Sequence, residues 1–198
     1  GAHRFLFAAY DMPKDSTYAS ASPGNMTLTV QKTPVDVTAV MTGRLPAGAI
    51  GQEQKVAIRL TLPAALPVAD LTVTWQKQPD GWPEAGWICL PFACANPKFR
   101  LGRLGGDVDP ITDITLENVN CHNSFVDTGV AIYDGTTGAG VGLCPLDSPM
   151  VSLGEPGEYK FDQRYEPRSP HVFVNLYNNH WRTNFRGWIG NGERMESR

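Results

Sequence analysis

The stretch VAIRLTLPAALPVADLTVTW, residues 56–75, alternates apolar and polar residues in two short runs separated by a segment rich in proline and alanine. Apolar residues occupy every second position from Val56 to Leu62, and again from Leu71 to Trp75. Because successive side chains of a strand point to opposite faces of a sheet, this period predicts two strands with one apolar face each. Such strands are typical of antiparallel sheets with one solvated side.

The same period of two recurs along most of the chain, while helical periodicity is nearly absent. The further runs are Met26, Leu28 and Val30; Val35, Val37 and Val40; Val130 and Ile132; and Val172, Val174 and Leu176. The 20 glycines and 16 prolines are spread between the runs, as expected of turns that join short strands. The pattern predicts an all-β fold, an antiparallel β-sandwich, with a closed barrel as the alternative.

No shift in composition marks a boundary, so one β-sandwich domain over residues 1–198 is expected. Two long connections are predicted, over residues 11–25 and 103–126. Loops of that length in a compact domain are often functional, although ordinary sandwich crossovers also reach it.

Bulk composition narrows the classes of partner. Hydrophobic residues make up 41% of the chain, which is ample for a packed core, and the formal net charge is −3 with no run of like charges. Neither a nucleic-acid surface nor a membrane surface is therefore expected. No apolar run reaches the roughly 18 residues of a membrane span, and no signal peptide is visible, which leaves the localisation undetermined.

The cysteine, histidine and acidic residues of the sequence do not form a recognisable catalytic motif. Cys121 and His122 are adjacent, but neighbouring residues of an extended segment point to opposite faces, and the cysteine spacing lacks the tight pairs of a structural zinc site. The acids from Asp107 to Asp113 do not match a calcium loop and are expected to be solvated. Glu84 is a lone carboxylate, whereas glycosidases use a pair. The four cysteines leave buried thiols or one disulfide open.

Three segments together resemble one enzyme family. They are WPEAGWICLPF at 82–92, DTGVAIYDGTTGAGVGLCPLDSPMVSLGEPG at 127–157 and PHVFVNLYNNHWRTNFRGW at 170–188. They look like the C-terminal region of glycoside hydrolase family 38 α-mannosidases and their bacterial relatives. The resemblance implies a galactose-mutarotase-like supersandwich that belongs to a larger glycosidase. The family's catalytic aspartate and zinc ligands lie in an N-terminal barrel that these residues do not include, so no cofactor is expected in this chain.

The resemblance also suggests a candidate site at the end of the last predicted strand. There, amide groups stand beside aromatic rings, a combination that suits sugar hydroxyls. The candidate residues, facing sugar or the catalytic barrel, are Tyr177, Asn178, Asn179, His180, Trp181, Arg182, Thr183 and Asn184. The competing interpretation is a sandwich corner in which the asparagines satisfy backbone groups. Trp82 and Trp87 are expected to pack in the core.

Three functions compete on this sequence. The first is an accessory domain of a family 38-like enzyme, inactive alone, with carbohydrate and the parent chain's catalytic barrel as partners. The second is a free-standing lectin-like sandwich that binds carbohydrate. The third is an independent enzyme that uses the Asp107–Asp113 loop with His122. The first predicts an exposed apolar patch and possible self-association, whereas a lectin module predicts neither.

Overall fold

The computed structural model describes residues 21–45, 53–77, 85–114, 121–156, 166–167 and 169–178. Every regular element among them is a β-strand, and every strand pairing is antiparallel. The strands are β1 (Gly24–Lys32), β2 (Asp36–Leu45), β3 (Gln54–Pro63), β4 (Asp70–Trp75), β5 (Ala85–Pro91), β6 (Pro97–Arg103), β7 (Gly106–Val108), β8 (Ser124–Phe125), β9 (Gly129–Asp134), β10 (Gly140–Leu143), β11 (Met150–Leu153) and β12 (His171–Asn178). The prediction of an all-β antiparallel fold is confirmed.

The strands divide between two compact units, one containing β1–β4 and the other β5–β12. The prediction of a single domain over residues 1–198 stays a prediction. Among the described residues no helix is long and apolar enough to cross a membrane.

The first unit is a four-stranded meander in the order β1-β2-β3-β4. Its register places the alternating apolar side chains of all four strands on one side, called here the apolar face. Two rows across the sheet define it: Leu28, Met41, Ile58 and Val73, and Val30, Ala39, Leu60 and Leu71. The opposite side, called here the polar face, carries a threonine-rich row through Thr27, Thr42, Ala57 and Thr74. Residues 56–75 therefore form the predicted pair of strands.

One predicted run is wrong in detail. Val35 lies in the turn between β1 and β2, because the Thr33 hydroxyl accepts hydrogen bonds from the amides of Val35 (3.2 Å) and Asp36 (3.1 Å) and closes the chain there. Val37 then faces the apolar side while Val40 faces the polar side, since they are three residues apart on one strand.

The second unit contains two four-stranded sheets, ordered β10-β9-β6-β7 and β5-β12-β11-β8. They share one hydrophobic core, an arrangement consistent with a β-sandwich. Phe99, Leu101, Val130 and Ile132 come from the first sheet and Val151, Leu153 and Val172 from the second, with Val126 from a connection. Leu101, Val151 and Val172 are completely buried. Burial of a side chain such as Leu101 contributes roughly 1.5–3 kcal/mol.

In its described part, the connection predicted over residues 103–126 contains two strands, β7 and β8. β6 and β7 form a hairpin whose two-residue turn, Leu104 and Gly105, has φ angles of 56° and 74°. Two consecutive positive φ angles are the geometry of a type I′ turn, which matches the twist of the flanking strands. The amide of Gly105 donates to the carboxylate of Asp127 at 2.9 Å, which holds the turn against the segment before β9.

Candidate functional site

The predicted site lies at the C-terminal end of β12. This strand is central in its sheet, with β5 on one side and β11 on the other. Tyr177 and Asn178 are its last residues, paired in register with Gly86 and Ala85 of β5. The other predicted site residues, Asn179, His180, Trp181, Arg182, Thr183 and Asn184, lie outside the described residues, as do Trp82 and Glu84.

A β-bulge precedes the predicted site. Asn175 pairs with Trp87 and Tyr177 with Gly86, so Leu176 is an extra residue on β12. The bulge brings the Tyr177 ring onto the same face as the position a Gly86 side chain would occupy. A Cβ atom added to Gly86 would lie 2.3 Å from Cε1 of Tyr177. Glycine at position 86 is therefore what allows the tyrosine ring to lie against the β5 backbone.

Asn175 fixes the strand just before the bulge. It is only 4% exposed, its side-chain amide donates to the Gly86 carbonyl at 3.4 Å, and its own carbonyl accepts a hydrogen bond from the Ser148 hydroxyl. These contacts connect β12 to β5 and to the segment before β11. A buried polar residue with such partners is costly to replace, because its loss leaves the partners unsatisfied. Asn175 is not part of the apolar run Val172, Val174 and Leu176, so alternation alone does not predict its burial.

The indole ring of Trp87 lies on β5 near this end of β12. Its indole Nε1 is buried and has no acceptor within the described part of the chain. Indole can only donate, so a buried indole N–H without an acceptor is costly. The ring is half-buried on β5, directly opposite Asn175 in register. Core packing, which was expected for Trp87, explains why the ring is half-buried. It does not explain why the indole N–H has no acceptor among the described residues.

The loop acids bind backbone groups of their own turns. A carboxylate oxygen of Asp109 accepts from the amides of Ile111 (2.8 Å) and Thr112 (3.2 Å), and Asp113 accepts from the amide of Asp109 at 2.7 Å. Local turn formation thus accounts for two of the three acids considered as calcium ligands. No cluster of three or more potential metal ligands occurs among the described residues.

Asp134 closes the β9–β10 hairpin in the same way. Its carboxylate accepts hydrogen bonds from the amides of Thr137 (3.0 Å), Thr136 (2.9 Å) and Asn96 (3.1 Å). These donors stabilise the charged form and lower the pKa of Asp134 to about 2. The hairpin and the segment before β6 are joined at this side chain.

The cysteines and histidines of the described region differ in their exposure. All four cysteines are free thiols, so the alternative of a disulfide is wrong, and Cys89 is exposed. Burial of part of its surface raises the pKa of the Cys89 thiol. His122 is 4% exposed, and His171 packs edge-on against Phe173 with ring centroids 6.3 Å apart. The expectation that both histidines are structural fits these positions.

At one end of the β5–β12 pair, Asn175 and Trp87 share one face of the sheet, and Tyr177 lies against Gly86 on the other, so a buried amide and a buried indole N–H stand on the side opposite the tyrosine ring. Such groups bind and position polar ligands or neighbouring chain segments. Comparison with known proteins adds no relative, since no family model, no curated protein and no solved structure matches the chain.

Proposed function

We propose that this chain is the C-terminal accessory β-sandwich of an α-mannosidase-like glycoside hydrolase and is inactive by itself. In this proposal the fold is the galactose-mutarotase-like supersandwich, and the chain packs against the catalytic barrel of its parent protein. The observation that carries it is the apolar face of the β1–β4 sheet, which is the feature an accessory domain needs and a free-standing lectin does not.

The apolar face retains substantial exposure in large hydrophobic side chains. Leu28 is 60% exposed, Val30 58%, Leu62 44% and Leu71 39%. On this face only Val56 falls among the buried hydrophobic residues. A sheet with one apolar side is normally covered by a second layer, because apolar surface left in water costs about 25 cal/mol for each Å².

The size of the face supports a large partner. Strand spacing of about 4.8 Å and a rise of about 3.4 Å per residue give strands of 9, 10, 10 and 6 residues a face of about 570 Å². That value lies in the upper part of the 300–600 Å² range of the largest patches on monomers, which are often functional. The polar face of the same sheet carries polar side chains that water can solvate. Only the apolar face therefore needs to be covered by a second layer. A catalytic barrel, which is large and rigid, is the partner to which the proposal commits.

The end of β12 supplies the proposed link to sugar. Tyr177 lies against Gly86, and on the other face of the same strand pair the buried Trp87 N–H has no acceptor among the described residues. In the proposal the segment from Tyr177 to Asn184 reaches the sugar site of the barrel and contributes amide and aromatic groups. Its role is to support a site whose catalytic residues belong to the barrel.

The coding region upstream of Gly1 provides the first test. An in-frame barrel with aspartate and histidine metal ligands is expected. A start codon or a secretion signal at that point would reject the proposal, and glycan binding by the isolated chain would then support the lectin alternative.

A second test uses the parent protein. Leu28→Lys places a charge on the apolar face, whereas Val35→Lys changes a 70% exposed valine of the β1–β2 turn. Leu28→Lys is expected to lower the melting temperature of the parent and its α-mannosidase activity, and Val35→Lys to leave both unchanged. Equal behaviour of the two variants would show that the apolar face is not the docking surface.

A further inference from the structure

The polar face of the β1–β4 sheet contains an open groove of about 680 Å³ that reaches residues of all four strands. Its floor is the row Thr27, Thr42, Ala57 and Thr74, in which each residue is paired in register with the next. Most of the groove lining belongs to the polar face, and Gly43, Val56 and Trp75 at the intervening positions also border it. Its volume falls within the range of about 300–1,000 Å³ that small-molecule sites occupy.

Two features, one of the backbone and one of the side chains, form the depression in the sheet at this point. A bulge on β1 lies between Gly24 and Thr27, and a bulge bends its strand and increases the local twist. Ala57 stands between Thr42 and Thr74 in the floor row and leaves a low point there, because it has only a methyl group. The floor therefore offers hydroxyl groups on either side of a depression.

The neighbouring row gives the groove a positive end. Arg44 of β2 and Lys55 of β3 are direct cross-strand partners on the polar face, a like-charge pair that destabilises a sheet. Glu53 forms an ion pair with Arg44, and the side chains of this pair are 58% and 49% exposed. Within the described ranges no ion pair is made by Lys55. One positive charge thus remains uncompensated at the groove.

We propose that this groove binds a saccharide carrying a carboxylate group. Threonine hydroxyls both donate and accept hydrogen bonds, which matches the hydroxyls of a sugar ring. The ammonium group of Lys55 provides a charge-assisted hydrogen bond for the carboxylate, and a bound carboxylate relieves the repulsion between Lys55 and Arg44. The site goes beyond the proposed accessory role, because it belongs to the other face of the sheet and needs no catalytic barrel.

Titration of the isotopically labelled chain with a galacturonic acid trimer tests the site by amide NMR. Shifts are expected for Thr27, Thr42, Lys55 and Thr74, and affinity is expected to fall as salt increases. The neutral galactose trimer is expected to bind about tenfold more weakly, as the loss of one charge-assisted hydrogen bond implies. Equal affinity for the two trimers, or shifts confined to other residues, would overturn the proposal.

A matched pair of variants on β3 isolates the groove charge. Lys55→Glu and Arg59→Glu reverse the same charge on the same face, but Arg59 lies outside the groove lining. Lys55→Glu is expected to weaken trimer binding about tenfold or more, and Arg59→Glu to change it less than about twofold. Circular dichroism and melting of both variants verify folding. Equal losses in the two folded variants would mean that general charge attracts the trimer, and the groove proposal would fail.

Discussion

Replacing Leu104 by asparagine is expected to stabilise the chain, because the leucine occupies a left-handed backbone conformation with φ of 56° in the β6–β7 turn. For a residue with a Cβ atom this conformation costs roughly 1–2 kcal/mol, and asparagine is one of the few side chains that tolerate it. The leucine side chain is 94% exposed, so its removal sacrifices almost no burial. The expected gain in the free energy of unfolding is about 1 kcal/mol, or a rise in Tm of about 2–4 °C for a chain of this size.

Two companion variants separate backbone conformation from surface chemistry. Leu146→Asn removes another leucine, 87% exposed, at a position that lacks a positive φ angle, and its effect is expected to stay within about 0.5 kcal/mol. Gly105→Ala adds a Cβ atom where φ is 74° and no atom lies within 4 Å, so any loss comes from the backbone alone. That loss is expected to be about 1 kcal/mol.

Thermal and urea unfolding followed by circular dichroism measure all three variants. The reasoning requires Leu104→Asn to melt above the wild type, Leu146→Asn to match it and Gly105→Ala to melt below it. A Leu104→Asn variant that melts at or below the wild-type temperature would refute the type I′ assignment of the turn. An equal gain in Leu146→Asn would attribute the effect to removal of exposed leucine.

Four further outcomes are expected. Leu101→Ala should lower the free energy of unfolding by about 2–5 kcal/mol in urea titrations, since the side chain is fully buried and leaves a cavity. Gly129→Ala should abolish the native melting transition, because φ is 133° and a Cβ atom would lie 2.1 Å from a β10 carbonyl oxygen, whereas Gly142→Ala, with open space around it, should melt normally. The folded-state pKa of Asp134, about 2, lies below its ordinary value of 3.8, so its contribution to stability is present above about pH 4 and is lost as the pH falls towards 2. Urea midpoints of Asp134→Asn should therefore decline less over that interval than those of the wild type. Sedimentation velocity at high concentration should show self-association of the isolated chain that Leu28→Lys reduces, and a monomeric wild type would contradict the exposed-face argument.

Simple alternation was a reliable guide where a strand runs unbroken. Every second residue of 56–62 and 71–75 lies on the apolar face as the period predicts, because the pairing of the two strands has no irregularity. The same rule failed at Val35, where a threonine hydroxyl closes a local turn, and it does not predict the burial of Asn175, whose side chain contacts a strand distant in sequence. Short strands such as β7 carry too few residues for a period to be recognised.

From the sequence, the candidate site could be predicted only as a group of amide and aromatic side chains at the end of a strand. The packing of Tyr177 on Gly86 depends on the register between β5 and β12, which are separated by 79 residues of sequence. The lack of an acceptor for the buried Trp87 N–H among the described residues likewise results from what surrounds the ring and not from the tryptophan itself. Non-local register and burial of single atoms are properties that no local pattern encodes.

The bulge at Leu176 decides which side of β12 the last residues of the strand face. Asn175 and Tyr177 are two positions apart, yet they face opposite sides, because Leu176 is an extra residue between them. Deletion of Leu176 would place Tyr177 directly after Asn175, where ordinary alternation also puts the tyrosine opposite Gly86. A single-codon deletion at this point can therefore straighten the strand while the ring keeps its contact with the β5 backbone.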